Sequence, residues 1–197
     1  MKVIGLTGSI AMGKSETARL FAELGVPVFD SDAAVHVLYA KDGDAVAPLR
    51  KAFPQAVIDG AVDRKRLSEI LTREPQRLGE LEAVVHPLVR RAQEQFLAEH
   101  RAKGTAFVLL DIPLLFETQR EKDVDIIVVV SAPADVQRER ALARPGMTVE
   151  KLETILARQM PDAEKRRRAD FIVDGARGLD HARAQVRHIL DTLAAGS

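Results

Sequence analysis

Val3-Ile4-Gly5-Leu6-Thr7-Gly8-Ser9-Ile10-Ala11-Met12-Gly13-Lys14-Ser15 is the stretch that decides the fold of this 197-residue chain. It opens as a short apolar, β-rich run and stops at Thr7-Gly8. Beyond Lys14, the residues Ala18, Leu20, Phe21 and Leu24 recur at a helical period, and Gly25 supplies a C-terminal stop. Val26-Pro27-Val28-Phe29 then reads as a second short strand ending at Asp30-Ser31-Asp32. Strand, loop, helix and strand make a βαβ unit, which implies a parallel sheet with a right-handed crossover.

Gly8 to Ser15 fits G-x-x-x-x-G-K-[ST], placed between a strand and a helix as that motif requires. Glycine at Gly8 and Gly13 permits a tight turn and close approach of backbone to phosphate. The amides of about Ala11 to Ser15 face inward at a helix N-terminus, where partial positive charge favours an anion. Lys14 is expected to reach the β- and γ-phosphates, and the Ser15 hydroxyl to meet Mg²⁺. Gly8, Ile10, Ala11, Met12, Gly13, Lys14 and Ser15 form the expected nucleotide-binding set, with ATP and Mg²⁺ as cofactors. The chain has no Asn, so an Asn-Lys-x-Asp guanine reader is excluded and the ordinary GTPase layout with it.

Working outward, residues 33–100 read as mainly helical, with turn signals at Asp42-Gly43-Asp44 and Asp59-Gly60. Continuously apolar runs at 106–110 and 126–130 read as strands covered on both faces. Residues 135–168 are helical and Arg-rich, broken at Pro145-Gly146 and Pro161. Phe171-Ile172-Val173 is a last strand, and residues 179–193 form a closing helix. The division expected is a core of 1–32, 101–134 and 169–197, a helical insertion of 33–100 and a lid of 135–168. A lid hinged near Pro145-Gly146 would exclude water and suppress futile hydrolysis.

Composition narrows the function classes. Lys plus Arg and Asp plus Glu are each 29, so global charge argues for neither a nucleic-acid nor a membrane-surface partner. Cysteine is absent, which excludes disulfides, thiolate metal sites and a Cys nucleophile. The longest run without formal charge, Val3 to Gly13, is eleven residues, against the roughly 20 a spanning helix needs. The chain reads as cytoplasmic, and its oligomeric state is open.

Asp30 and Asp32 fall just past the second strand, at the sheet edge where ligands bind. A carboxylate there can orient and deprotonate an attacking hydroxyl; a bland role, capping the helix that follows, is open to either. Asp111, at the end of the third strand, looks like a Mg²⁺-holding acid. Arg140 and Arg144 are spaced to share a helix face, where guanidinium forks would clamp transferring phosphoryl oxygens. The run Lys165 to Arg168 reads as a solvated face. Rivals within reach are a kinase for another small molecule or nucleoside monophosphate, and an ATP-binding switch that transfers nothing.

Nearly end to end, the chain resembles the dephospho-coenzyme A kinase family. The likeness rests on Ile4-Gly5-Leu6-Thr7-Gly8 with Gly13-Lys14-Ser15, on Asp30-Ser31-Asp32 and His86-Pro87, and on Asp111-Ile112-Pro113-Leu114-Leu115-Phe116-Glu117. It extends through Gln137-x-x-Arg140-x-x-x-Arg144 and Gln159-Met160-Pro161 with Lys165 and Ala169-Asp170. The resemblance implies a P-loop NTPase fold of the nucleoside-monophosphate-kinase type: an α/β domain with a five-stranded parallel sheet, a helical acceptor lobe and a lid. It implies MgATP as donor and the ribose 3′-hydroxyl of dephospho-coenzyme A as acceptor, in the last step of coenzyme A synthesis. By position it makes Asp32 the base, and Lys14, Arg140 and Arg144 the groups that stabilise the transferring phosphoryl. His86, Asp111, Pro113, Leu115 and Glu117, with Asp32, would line the acceptor site. The chain departs from the family pattern at Ala11, usually Gly, at Glu16, usually Thr, and at Gly175, usually Asn.

Overall fold

The computed structural model describes residues 1–196. Its five-stranded parallel sheet has the order β2-β5-β1-β6-β7, from β1 (Lys2–Thr7), β2 (Val28–Asp30), β5 (Phe107–Asp111), β6 (Ile126–Ser131) and β7 (Phe171–Asp174). The chain also contains β3 (Val57–Ile58) and β4 (Ala61–Val62), paired with each other and treated below. The strand just after the first helix, α1 (Lys14–Glu23), thus lies at one edge, and β1 at the centre. In register, Ile4 sits opposite Leu109 on one side and Ile126 on the other. Central parallel strands are covered on both faces, which is why β5 and β6 are unbroken apolar runs rather than alternating ones.

Two compact units divide the chain: Met1–Val28 with the stretch from Gly104 on, and Phe29–Lys103. In the first, Ile4, Leu6, Leu109, Val128, Val130 and Val173 of the sheet pack with Leu20 and Phe21 of α1 and with Val186, Ile189 and Leu193 of α9 (Leu179–Ala195). Burial of each such side chain contributes roughly 1.5–3 kcal/mol. The consequence for function lies at the strand ends. Because β1, β5, β6 and β7 run parallel, Thr7, Asp111, Ser131 and Asp174 all end at one edge, where an α/β sheet holds its ligands.

The second unit carries α2 (Ser31–Tyr39), α3 (Val46–Ala52), α4 (Arg64–Arg73) and α5 (Leu78–Ala102). Its core holds Tyr39, the only tyrosine, with Leu49, Phe53, Leu67 and Val85. Arg77 lies with its guanidinium 4.2 Å from the centre of the Phe53 ring and donates to the Ala52 carbonyl at 2.6 Å. Between α3 and α4 the antiparallel hairpin of β3 and β4 turns on Asp59-Gly60, both at positive φ. Sequence pattern shows that turn but not the strands, since two residues are too few for alternation to register. The helical unit begins at Phe29, so it includes Asp30 and Asp32. Among the described residues no helix is long and apolar enough to cross a membrane.

Leu109 is completely buried in the sheet core. Leu109→Ala is expected to lower the unfolding free energy by about 3 kcal/mol, within the range for a buried leucine, as read from urea titration.

Candidate active site

Residues 8–15 leave β1 and enter α1 with the chain in two left-handed conformations, Ala11 at φ 62° and Gly13 at φ 99°. Gly13 is also the N-cap residue of α1, with no side-chain cap, so the first amides of the helix are left facing the loop. For Ala11 the left-handed conformation costs roughly 1–2 kcal/mol. Against that, its buried methyl packs with Ala141 and Leu152, which returns about 0.8 kcal/mol. Alanine is therefore tolerated at position 11 at a modest net cost.

Lys14 Nζ is ion-paired with the Asp111 carboxylate, joining the loop to the end of β5. Both side chains are largely buried. Ser15 is exposed at the first turn of α1. A hydroxyl and a carboxylate suit Mg²⁺, which is usually held by one or two carboxylates plus substrate phosphates rather than by an all-protein cage. No cluster of three or more His, Asp or Glu stands among the described residues.

The loop is also gripped from the side expected to form the lid. Ile10 N–H donates to Gln159 Oε1 at 3.1 Å, and Gln137 Nε2 donates to the Ile10 carbonyl at 2.9 Å. Gln137 lies on α6 (Ala134–Leu142) and Gln159 on the connection between α7 (Val149–Ala157) and α8 (Asp162–Arg168). At the loop's other shoulder, Gly175 comes so close that a Cβ there would lie 2.1 Å from the Met12 carbonyl oxygen. The glycine that replaces the usual Asn is thus required by backbone contact. Arg140 donates to the Gly175 carbonyl at 2.8 Å and fixes the same corner.

Arg144 does not share a helix face with Arg140. The helix α6 ends at Leu142, Ala143 is its C-cap, and Arg144 is exposed in the turn that leads through Pro145-Gly146. Spacing of four places two residues together only while the helix lasts. Leu115, expected to line the acceptor site, has no exposed surface, whereas its neighbour Leu114 is 41% exposed. After β5 the chain winds into turns, with Thr118 N–H bonded to the Leu114 carbonyl and Arg120 N–H to that of Leu115. Pro113 is exposed, and its carbonyl accepts from Thr7 Oγ1 at 3.1 Å.

Glu117 faces inward as well. Its Oε1 accepts from Met160 N–H at 2.7 Å and lies 2.8 Å from Lys165 Nζ, which is 0% exposed. This corrects the reading of residues 165–168 as a solvated face: Arg166, Arg167 and Arg168 are exposed, and Lys165 is a core cation. Burial pushes the Glu117 carboxyl up, but the Lys165 ammonium and the Met160 N–H outweigh it and hold the group below its ordinary value.

In the helical unit, Asp30 is the N-cap of α2: its Oδ1 accepts from the N–H groups of Asp32 and Ala33 at 2.8 and 3.1 Å. Asp30 therefore takes the bland role, and Asp32, exposed in the first helical turn, keeps a carboxylate not used in capping. His86 is exposed in the middle of α5, next to the helix-internal Pro87.

A family model described as dephospho-CoA kinase matches residues 2–181. The dephospho-CoA kinase of Agrobacterium fabrum is 59% identical over 195 residues, covering 99% of this chain and all of the relative. The solved structure of TT1252 from Thermus thermophilus is similar at a TM-score of 0.79 and 36% identity, over 98% of this chain and 97% of that one. Dephospho-CoA kinase from Campylobacter jejuni shares the fold at a TM-score of 0.71 and 22% identity, over 98% and 97% of the two chains.

Glu117→Gln would strand the buried ammonium of Lys165. It is expected to cost about 3 kcal/mol at pH 7 by urea unfolding, and adding Lys165→Met is expected to recover most of that loss. Because the folded carboxyl sits below 4.5, its contribution is full above that pH and fades as pH falls through the lower folded value. The Glu117→Gln variant should lack that part of the acid-side slope.

Proposed function

This chain belongs to the dephospho-CoA kinase family, and from that premise we propose how its residues carry the reaction. It transfers a phosphoryl group to dephospho-CoA, and the family membership implies ATP as the donor. The supporting observation is the loop itself: a strand-to-helix turn whose helix start has no side-chain cap, the positive φ at Gly13, and Lys14 at its base.

In this reading, Gly8 and the residues from Ala11 to Ser15 cradle the β- and γ-phosphates, while Ile10 holds the loop's shape. Lys14 and Asp111 neutralise each other in this structure; with nucleotide bound, the lysine would pair with phosphate oxygens and the aspartate would be free to hold Mg²⁺, so each would exchange one counter-charge for another. Ser15 and Asp111 would hold the metal, which supplies charge neutralisation at the phosphate oxygens.

Asp32 accepts the proton of the 3′-hydroxyl as that oxygen bonds to the γ-phosphorus and the bond to the β-phosphate oxygen breaks, releasing ADP. A weak base suffices there because the transition state is loose and the proton can leave late. Arg140 and Arg144 stabilise the transferring oxygens, Arg144 from a turn rather than from a helix face. His86, Asp111 and Pro113 are the residues assigned to the acceptor, and Leu114 is the exposed apolar side chain that follows Pro113. Glu117 and Leu115 support that segment from beneath. The reaction is placed in the cytoplasm, with no nucleic acid or membrane as partner.

A coupled ADP-release assay tests the assignment. Turnover should require both MgATP and dephospho-CoA, and absence of acceptor-dependent turnover would overturn it. Asp32→Asn and Lys14→Ala are each expected to lose at least about 10²-fold in kcat/KM, the scale of positioned proton transfer and electrostatic stabilisation. Near-wild-type rates would remove the roles given to those side chains.

A further inference from the structure

Two glutamines far apart in sequence hold the two peptide groups of one residue, Ile10. Gln137 holds the Ile10 carbonyl, which belongs to the peptide bond joining Ile10 to Ala11. That bond is planar and trans, so its carbonyl and its N–H point in opposite directions. Gripping the carbonyl from the α6 side therefore aims Ala11 N–H away from α6 and fixes its direction. The same peptide sets the φ of Ala11, which is 62°, a conformation an alanine adopts only under constraint. Rotating the peptide about its ends would take Ala11 back to negative φ, relieve the strain, and turn a carbonyl toward the place where the N–H now points.

We infer that Gln137 is a positioning residue that locks the Ile10–Ala11 peptide against this flip, while Gln159 fixes the preceding Ser9–Ile10 peptide, so that the phosphate-binding shape of the loop depends on the docked α6 to α8 segment. The two side chains reach Ile10 independently, one from within α6 and one from the turn before α8. Gln159 is itself anchored, because the next residue, Met160, donates to Glu117, which lies against Lys165. Gln137 is almost fully buried and Gln159 half-buried, as suits side chains whose polar ends are committed. The device matters here because position 11 is Ala; a glycine would meet no such penalty at positive φ.

This inference rests on the reading of the loop as the MgATP site, and the test separates the two. Calorimetric uptake of MgATP by the wild-type chain checks the reading alone. For the lock, Gln137→Leu keeps the side-chain volume and removes the donor. It is expected to weaken MgATP binding and raise the KM for ATP by about tenfold, the effect of one lost hydrogen bond with release of the strain. The KM for dephospho-CoA should stay within about twofold. Ala11→Gly should improve MgATP affinity about fivefold more in the Gln137→Leu background than in the wild-type background. Wild-type affinity in Gln137→Leu, or an equal effect of Ala11→Gly in both backgrounds, overturns the lock. If Gln137→Leu fails to fold by thermal melting, Gln137→Met, which also lacks the donor, carries the same comparison with Ala11→Gly and the same overturning outcomes.

Discussion

Anion binding by main-chain amides demands that several N–H groups point at one place, and a chain so arranged has no hydrogen-bond ladder of its own to keep it there. Every contact around residues 8–15 answers that demand. Thr7 delivers the loop from the central strand, and Gly13 hands it to α1 in a left-handed conformation. Gly175 closes against the Met12 carbonyl, Met12 Sδ accepts from Ala132 N–H at 3.0 Å, and two glutamines take the polar groups of Ile10. The loop is thus shaped largely from outside, with a bond of its own from Met12 N–H to the Ser9 carbonyl at 3.3 Å.

The same logic explains the buried ion pair below the segment after β5. A lysine and a glutamate removed from water contribute little net stability compared with apolar neighbours. Their value here is positional: Glu117 ties Met160, and through it the turn bearing Gln159, to the end of the strand that carries Asp111. Charge is thus used to register two segments that hydrophobic packing alone would leave free to slide.

How much was legible beforehand follows from the range of each interaction. The βαβ opening, the phosphate loop and the strands at β5 and β6 are written in local pattern, and the structure has them where the pattern places them. The capping role of Asp30 and the freedom of Asp32 depend on one helix start, so sequence left two candidates and geometry separated them. Arg144 was misplaced because spacing does not reveal where a helix ends. Lys165 was misjudged because a Lys-Arg-Arg-Arg run looks solvated, and its burial is decided by a carboxylate 48 positions earlier. The grip of Gln159 on Ile10 spans 149 positions and leaves no local trace.

Tyr39 gives the molecule a spectroscopic property. The chain has no tryptophan, so this single phenol dominates its intrinsic ultraviolet emission. It is packed in the helical unit, and burial raises its ionisation above the ordinary value of 10, despite the opposing charge of Arg64. Its light therefore comes from the neutral phenol across the physiological range and reports on the packing of that unit's interior.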